Sequence, residues 1–216
     1  MEPLPFKVEC LLEGWTLFWA LLELQPEVSE FPAEVRRDVV AQIRRSLEVE
    51  TLSLKPAVAG LRKLFKAAGC DPSRYRPSSE ALLRRLLKGE EMPVIHPLVD
   101  LNNCLSALLA VPCCVMVEEA LRPPFVFRRG MPGENFESLR GPFNLEDKPV
   151  LADRLGACDA PITGGVRVKV VQGVQRVWLV AYLPAEAVTA QSTEAELRWL
   201  VQSAPVVKIH LAAATY

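Results

Sequence analysis

Apolar residues recur with two different spacings along this chain, a helical one in the first half and short β-rich runs in the second. After Pro32, Val35, Val39, Ile43 and Leu47 fall every four residues, with Arg36, Arg37, Arg44 and Arg45 spread around the polar side, which predicts a helix with one buried face. A second helix is predicted over 56–68, stopped at Gly69, where a left-handed cap carries no β-carbon penalty. A turn-rich linker, 70–77, follows. SSEALLRRLLKG then reads as a whole helix, with Ser78 as N-cap, Glu80 in the first turn, Arg84, Arg85 and Lys88 in the last, and Gly89 as the stop. Leu82, Leu83, Leu86 and Leu87 form its buried stripe, and 99–110 is a further helix closed by Pro112.

Beyond Pro112 the texture changes. Strands are predicted at 125–128, 149–153, 166–171 and 177–183, with Gly173 turning a hairpin between the last two. A helix over 192–202 and a strand over 205–211 complete an α+β pattern. The opening segment, 6–24, suits one amphipathic helix or two strands; Gly14, costly inside a helix, favours a hairpin joined at Glu13-Gly14. No internal repeat is found.

Composition narrows the function classes. Half the residues are apolar and 24% are charged, which excludes disorder and a coiled coil, and 216 residues allow a sizeable core. The net charge of −1 means that no whole-molecule field attracts nucleic acid or acidic membranes, so any RNA contact needs a local patch. Among the six cysteines, Cys113 and Cys114 are adjacent, and the first ten residues lack a basic region followed by an apolar core; a reducing cytoplasm is expected. The longest near-apolar stretch, 105–117, is interrupted by Ser106 and Pro112 and is too short to span a membrane. No membrane partner is expected, and the oligomeric state is left open.

Most site chemistries fail on spacing. Two histidines, His96 and His210, with no CxxC, HxxxH or carboxylate cluster exclude a metal site, and Gly164-Gly165 without a phosphate-binding Lys excludes a nucleotide loop. No metal and no cofactor are expected. There is no GxSxG elbow. The densest positive charge is Arg74, Arg76, Arg84, Arg85 and Lys88, offset only by Glu80. It reads either as a phosphate-neutralising RNA patch or as a helix end complementing its dipole, with Glu80 and Arg84 paired at i, i+4. Cys113 and Cys114, in apolar surroundings without a nearby cation, read as structural thiols.

The stretch YRPSSEALLRRLLKGEEMPVIHPLVDLNNCLSALLAVPCC resembles free-standing relatives of the editing and tRNA-binding domain formed by the third and fourth modules of the phenylalanyl-tRNA synthetase beta subunit. The pattern RPSSEALLRR, KG, PLVD and the following Asn carries the likeness, which holds well from Arg74 to Asp153. It implies an α+β fold, a mixed sheet with packed helices and a cleft near Asn103 and Cys114. On this reading 1–216 is a single domain, with an N-terminal strand pair and helices over 1–70 and a synthetase-editing-like core over 71–212.

In the synthetase this domain hydrolyses the ester of tRNA wrongly charged with tyrosine, and its pocket includes a Thr-Asn pair and a later His. The resemblance lays Asn102 on the Thr, Asn103 on the Asn and Cys114 on the His; Val117 stands where an acidic residue is common, with Glu118 next, and Gly164-Gly165 would represent a Gly-rich wall. It implies Asn102, Asn103 and Cys114 as catalytic positions, with Gly164, Gly165 and Glu118 in the substrate pocket. Two functions stay open: a hydrolase that deacylates mischarged tRNA in trans, and a non-catalytic module that binds tRNA or an amino acid, having lost the editing histidine. An aminoacyl ester is already activated, so positioning of water and polarisation of its carbonyl suffice for the first.

Overall fold

A computed structural model describes residues 3–215. In chain order the elements are β1 (Val8–Cys10), β2 (Trp15–Leu24), α1 (Ala33–Ser46), α2 (Pro56–Ala67), α3 (Ser78–Leu87), α4 (Pro97–Leu109), β3 (Cys113–Val117), β4 (Phe125–Arg129), β5 (Asn135–Ser138), β6 (Gly141–Asn144), β7 (Pro149–Asp153), β8 (Gly156–Ala160), β9 (Thr163–Gly164), β10 (Arg176–Pro184), α5 (Ala190–Ser203) and β11 (Val207–Thr215). The fold class is α+β. One sheet is mixed, in the order β1-β4-β7-β8-β9 with β1 parallel to β4, and a second, antiparallel one runs β11-β2-β10-β3. β5 and β6 form a separate two-stranded ribbon.

The two opening strands do not form a hairpin. β1 joins β4 in the mixed sheet, while β2 inserts between β10 and β11 in the antiparallel one. β2, WTLFWALLEL, is apolar on both faces and almost wholly buried, as a central strand covered on both sides requires. Gly14, at φ +80°, turns the chain from one sheet to the other.

α1 and α2 match their predicted spans, and Gly69 takes φ +93° after α2. Ser78 is not an N-cap: the capping position is Pro77, and the Ser78 N–H donates to the Pro161 carbonyl at 2.9 Å, tying α3 to the loop after β8. α4 starts two residues early because Pro97 suits the first turn and His96 caps it, its Nδ1 accepting from the Leu98 N–H. Asp100 is buried within that first turn, accepting from the N–H groups of Ile95 and His96 and facing Arg36. The expected strand at 166–171 is absent. Its backbone goes into turns, with Val168 N–H bonded to the Gly165 carbonyl, so Gly173 ends no hairpin there. β11 runs to Thr215, past the predicted end.

The core lies between the sheets and under the helices. Trp19, Phe125 and Trp178 surround Phe6 with ring centroids 4.8–5.4 Å away. α4 packs on β3 and also touches β10, both strands of the antiparallel sheet.

Candidate functional site

A cavity of about 600 Å³ opens where the two sheets approach each other. α3 and α4 form one side through Leu82, Val99 and Asn103, β3 and Tyr182 of β10 form the base, and the end of β8 with β9 forms the opposite side. Leu139 and Arg140, from the β5–β6 turn, and 169–171 stand at the rim. Part of the segment expected as a strand therefore borders the cavity.

Asn102, Asn103, Cys114 and Gly164 all border this cavity. Asn102 is buried, and its Nδ2 donates to the Cys113 carbonyl at 3.2 Å, which ties α4 to β3 and leaves its Oδ1 without a partner among the described residues. Asn103 is half-buried, with no side-chain hydrogen bond among the described residues, so its amide is available to a ligand. Burial, reinforced by the charge of Asp159, pushes the Cys114 thiol well above its ordinary range. It is no thiolate nucleophile near neutral pH.

The base of the cavity holds a group that sequence reasoning missed. Asp159, fully buried at the end of β8, accepts a 2.5 Å hydrogen bond from the Tyr182 hydroxyl through Oδ2, and its Oδ1 has no partner among the described residues. Burial raises its pKa to about 7, against the opposing pull of hydrogen bonds from Tyr182 and Cys114. The available signal was an acidic residue inside the otherwise small and apolar strand GACDA, which needs a reason to be there. Tyr182 was hidden in an apolar strand, because its pairing with Asp159 joins residues from different sheets.

Two expected pocket residues lie elsewhere. Glu118 does not border the cavity; it sits past the end of β3 and pairs with Arg176 at 3.1 Å, since the short 3-10 turn at 118–120 carries it to the surface. Gly165 lies behind the wall, where a β-carbon would stand 2.5 Å from the Cys158 carbonyl oxygen, so its role is close backbone packing. A β-carbon on Gly164, by contrast, would make only ordinary contacts with Asp159 Oδ1 at 3.4 Å and Cys114 Sγ at 3.7 Å.

The basic patch divides. Arg84 pairs with Glu80 at 3.0 Å, as the i, i+4 spacing predicted; Glu80 is fully buried and also receives Arg62. At the end of α3 the carbonyls of Arg84, Arg85 and Leu86 accept backbone N–H groups of Lys88, Gly89 and Glu90, and Arg44 of α1 donates to Leu86 and, past the helix, to Glu90. Arg85 is exposed and borders the cavity, joined there by Arg140 and Lys169 from distant parts of the chain. None of these three has an acidic partner among the described residues. Arg74, stacked over Tyr75, and the exposed Arg76 and Lys88 do not border the cavity. Among the described residues no group of three or more His, Cys, Asp and Glu side chains is placed to hold a metal ion, and no helix is long and apolar enough to cross a membrane. All six cysteines are free.

Residues 60–200 match the B3/4 domain. The chain belongs to the B3/4 domain family. The match contains every residue that borders the cavity and bears out the resemblance read from RPSSEALLRR to Asn103: this is a relative of the phenylalanyl-tRNA synthetase beta-subunit domain. No curated protein matches the chain. Among solved structures, an N-terminal fragment of the phenylalanyl-tRNA synthetase beta-subunit from Pyrococcus horikoshii is similar over 100% of this chain and 55% of its own length, with 11% identity and a TM-score of 0.48. The chain thus spans about half of that fragment.

Proposed function

We propose that this B3/4 protein receives the aminoacylated 3′ end of tRNA in its cavity and hydrolyses the ester of mischarged tRNA in trans. The observation that carries this reading is the meeting of Asn102, Asn103 and Cys114 on a cavity whose rim bears three cations without acidic partners among the described residues. A ligand with an anionic backbone and a small aminoacyl end fits that division. The Asn103 amide polarises the ester carbonyl, and Arg85, Arg140 and Lys169 face the terminal phosphates. Water is activated by the adjacent ribose hydroxyl of the substrate itself, since the family's histidine position holds a thiol that stays protonated. Such a protein works in the cytoplasm, beside the tRNA pool.

The test is incubation with a panel of mischarged tRNAs, each followed for loss of the amino acid. Ester loss faster than in buffer, for at least one of them, is the expected result. No acceleration for any of them overturns the hydrolase. The raised pKa of Cys114 favours a second reading, a module that binds charged tRNA or an amino acid without turnover. Its signature is saturable binding of the same tRNAs at an unchanged rate of ester loss.

A further inference from the structure

We propose that Asp159 and Asn102 form an ammonium site at the base of the cavity, which takes the primary amine of an amino acid or aminoacyl ester. This deepens the proposed function by placing the α-amino group, and it rests on that reading for the identity of the ligand.

The argument starts from two unsatisfied atoms in one cavity. Asp159 is 0% exposed and Asn102 is 6% exposed, and the Oδ1 atom of each lacks a hydrogen-bond partner among the described residues. Buried oxygens of this kind are rare because each forfeits its hydration. Their neighbours hold the remaining atoms in place: Tyr182 donates to Asp159 Oδ2, while Asn102 Nδ2 donates to the Cys113 carbonyl. Both side chains border the cavity, and they approach it beside successive residues of β3, Cys113 and Cys114.

The unsatisfied atoms are all acceptors, so the missing partner is a donor. A hydroxyl brings one hydrogen, an ammonium three. An ammonium also supplies the positive charge that a buried carboxylate otherwise lacks, since Tyr182, Cys114 and Cys158 bring none to Asp159. The cations of the cavity, Arg85, Arg140 and Lys169, stand at its rim instead. With acceptors at the base and cations outside, the cavity complements a ligand carrying an amine at one end and an anionic group further out. The Asp159 pKa of about 7 puts the ionised form within reach near neutral pH, and a bound cation completes the ionisation.

The experiment titrates wild-type protein with a panel of L-amino-acid methyl esters and with the N-acetyl form of each, by calorimetry. At least one ester should bind, with its N-acetyl form weaker by about tenfold or more, the loss of a charge-assisted hydrogen bond. Asp159→Asn should abolish the preference. Asn102→Leu, of similar size and without the free oxygen, should reduce it and serves as the second variant should Asp159→Asn not fold. Equal binding of the two forms, no binding of any ester, or an undiminished preference in the folded variants overturns the ammonium site. Deacylation of mischarged tRNA by a protein without the amine preference leaves the hydrolase standing and removes the ammonium site. The amine preference without deacylation does the reverse.

Discussion

The Tyr182 hydroxyl reaches Asp159 from the opposite sheet and closes a 2.5 Å hydrogen bond on its Oδ2, at the base of the cavity. The bond joins the antiparallel sheet to the mixed one. It also leaves a carboxyl group fully buried with one oxygen unpartnered among the described residues.

This arrangement makes stability depend on pH in a defined direction. The folded pKa of Asp159, about 7, lies above its reference value of 3.8. The group therefore contributes its full stability when protonated in both states, and that contribution is lost as the pH rises to about 7. Asp159→Asn should stabilise the protein above this range, by on the order of 2 kcal/mol after allowance for local relaxation, and have little effect near pH 4. Thermal melts of both proteins across this interval read the difference directly. A gap that does not widen as the pH rises would show that the carboxyl ionises normally in the folded state.

How far the sequence exposed these features depends on whether the cause was local. α1, α2 and α3 follow from periodicity and from terminal Gly and Pro, and β7 has the bounds its sequence predicts. At 166–171 the apolar run suggests a strand, whereas its residues 169–171 line a cavity together with Leu82, Val99 and Leu139, neighbours that only tertiary packing supplies. β3, CCVMV, was lost because a short apolar run after a helix has no diagnostic period. At the site, Asn102, Asn103, Cys114 and Gly164 were accessible through their motif, whereas Arg140 and Lys169 reach the rim only by tertiary packing.

The two asparagines should separate. Asn103→Ala removes an amide with no side-chain hydrogen bond among the described residues, so thermal stability should stay within about 0.5 kcal/mol while ester hydrolysis falls by about tenfold or more. Asn102→Ala removes the bond to Cys113 and should cost about 1 kcal/mol in stability as well. Melting curves run beside the deacylation assay distinguish them. Equal loss of stability in both would assign Asn103 to bracing the helix.

The adjacent arginines should also part. Arg85→Ala should weaken tRNA binding similarly for different sequences and lower the salt dependence by about one phosphate contact, with the melting temperature unchanged. Arg84→Ala should instead destabilise by about 1–3 kcal/mol, because it removes one of the two partners of the buried Glu80. Binding measured at several salt concentrations is the check. An unchanged slope in Arg85→Ala would remove this residue from the RNA contact.

Cys114→Ser should keep most of any deacylase activity, since the half-buried thiol is held protonated and has no nucleophilic duty. Iodoacetamide at pH 7 should label Cys114 slowly compared with an exposed thiol. Rapid labelling, together with an inactive but folded Cys114→Ser, would establish a covalent mechanism.

The two neighbouring glycines should fail in different ways, because only one of them faces the ligand. A methyl group on Gly164 enters the cavity at contact distances that both Asp159 and Cys114 tolerate, so Gly164→Ala should fold with its melting temperature nearly unchanged. It narrows the space above the Asp159 oxygen and should weaken ligand binding. A methyl group on Gly165 meets the Cys158 backbone oxygen at 2.5 Å and the Phe136 ring at 3.1 Å, and a backbone atom cannot rotate away. Gly165→Ala should therefore cost about 1–3 kcal/mol of stability by forcing β8 apart from the turn after β9. Melting temperature and ester binding measured on both variants test the assignment. A destabilised Gly164→Ala with normal binding in its folded fraction would mean that Gly164, too, serves packing and does not face the bound ligand.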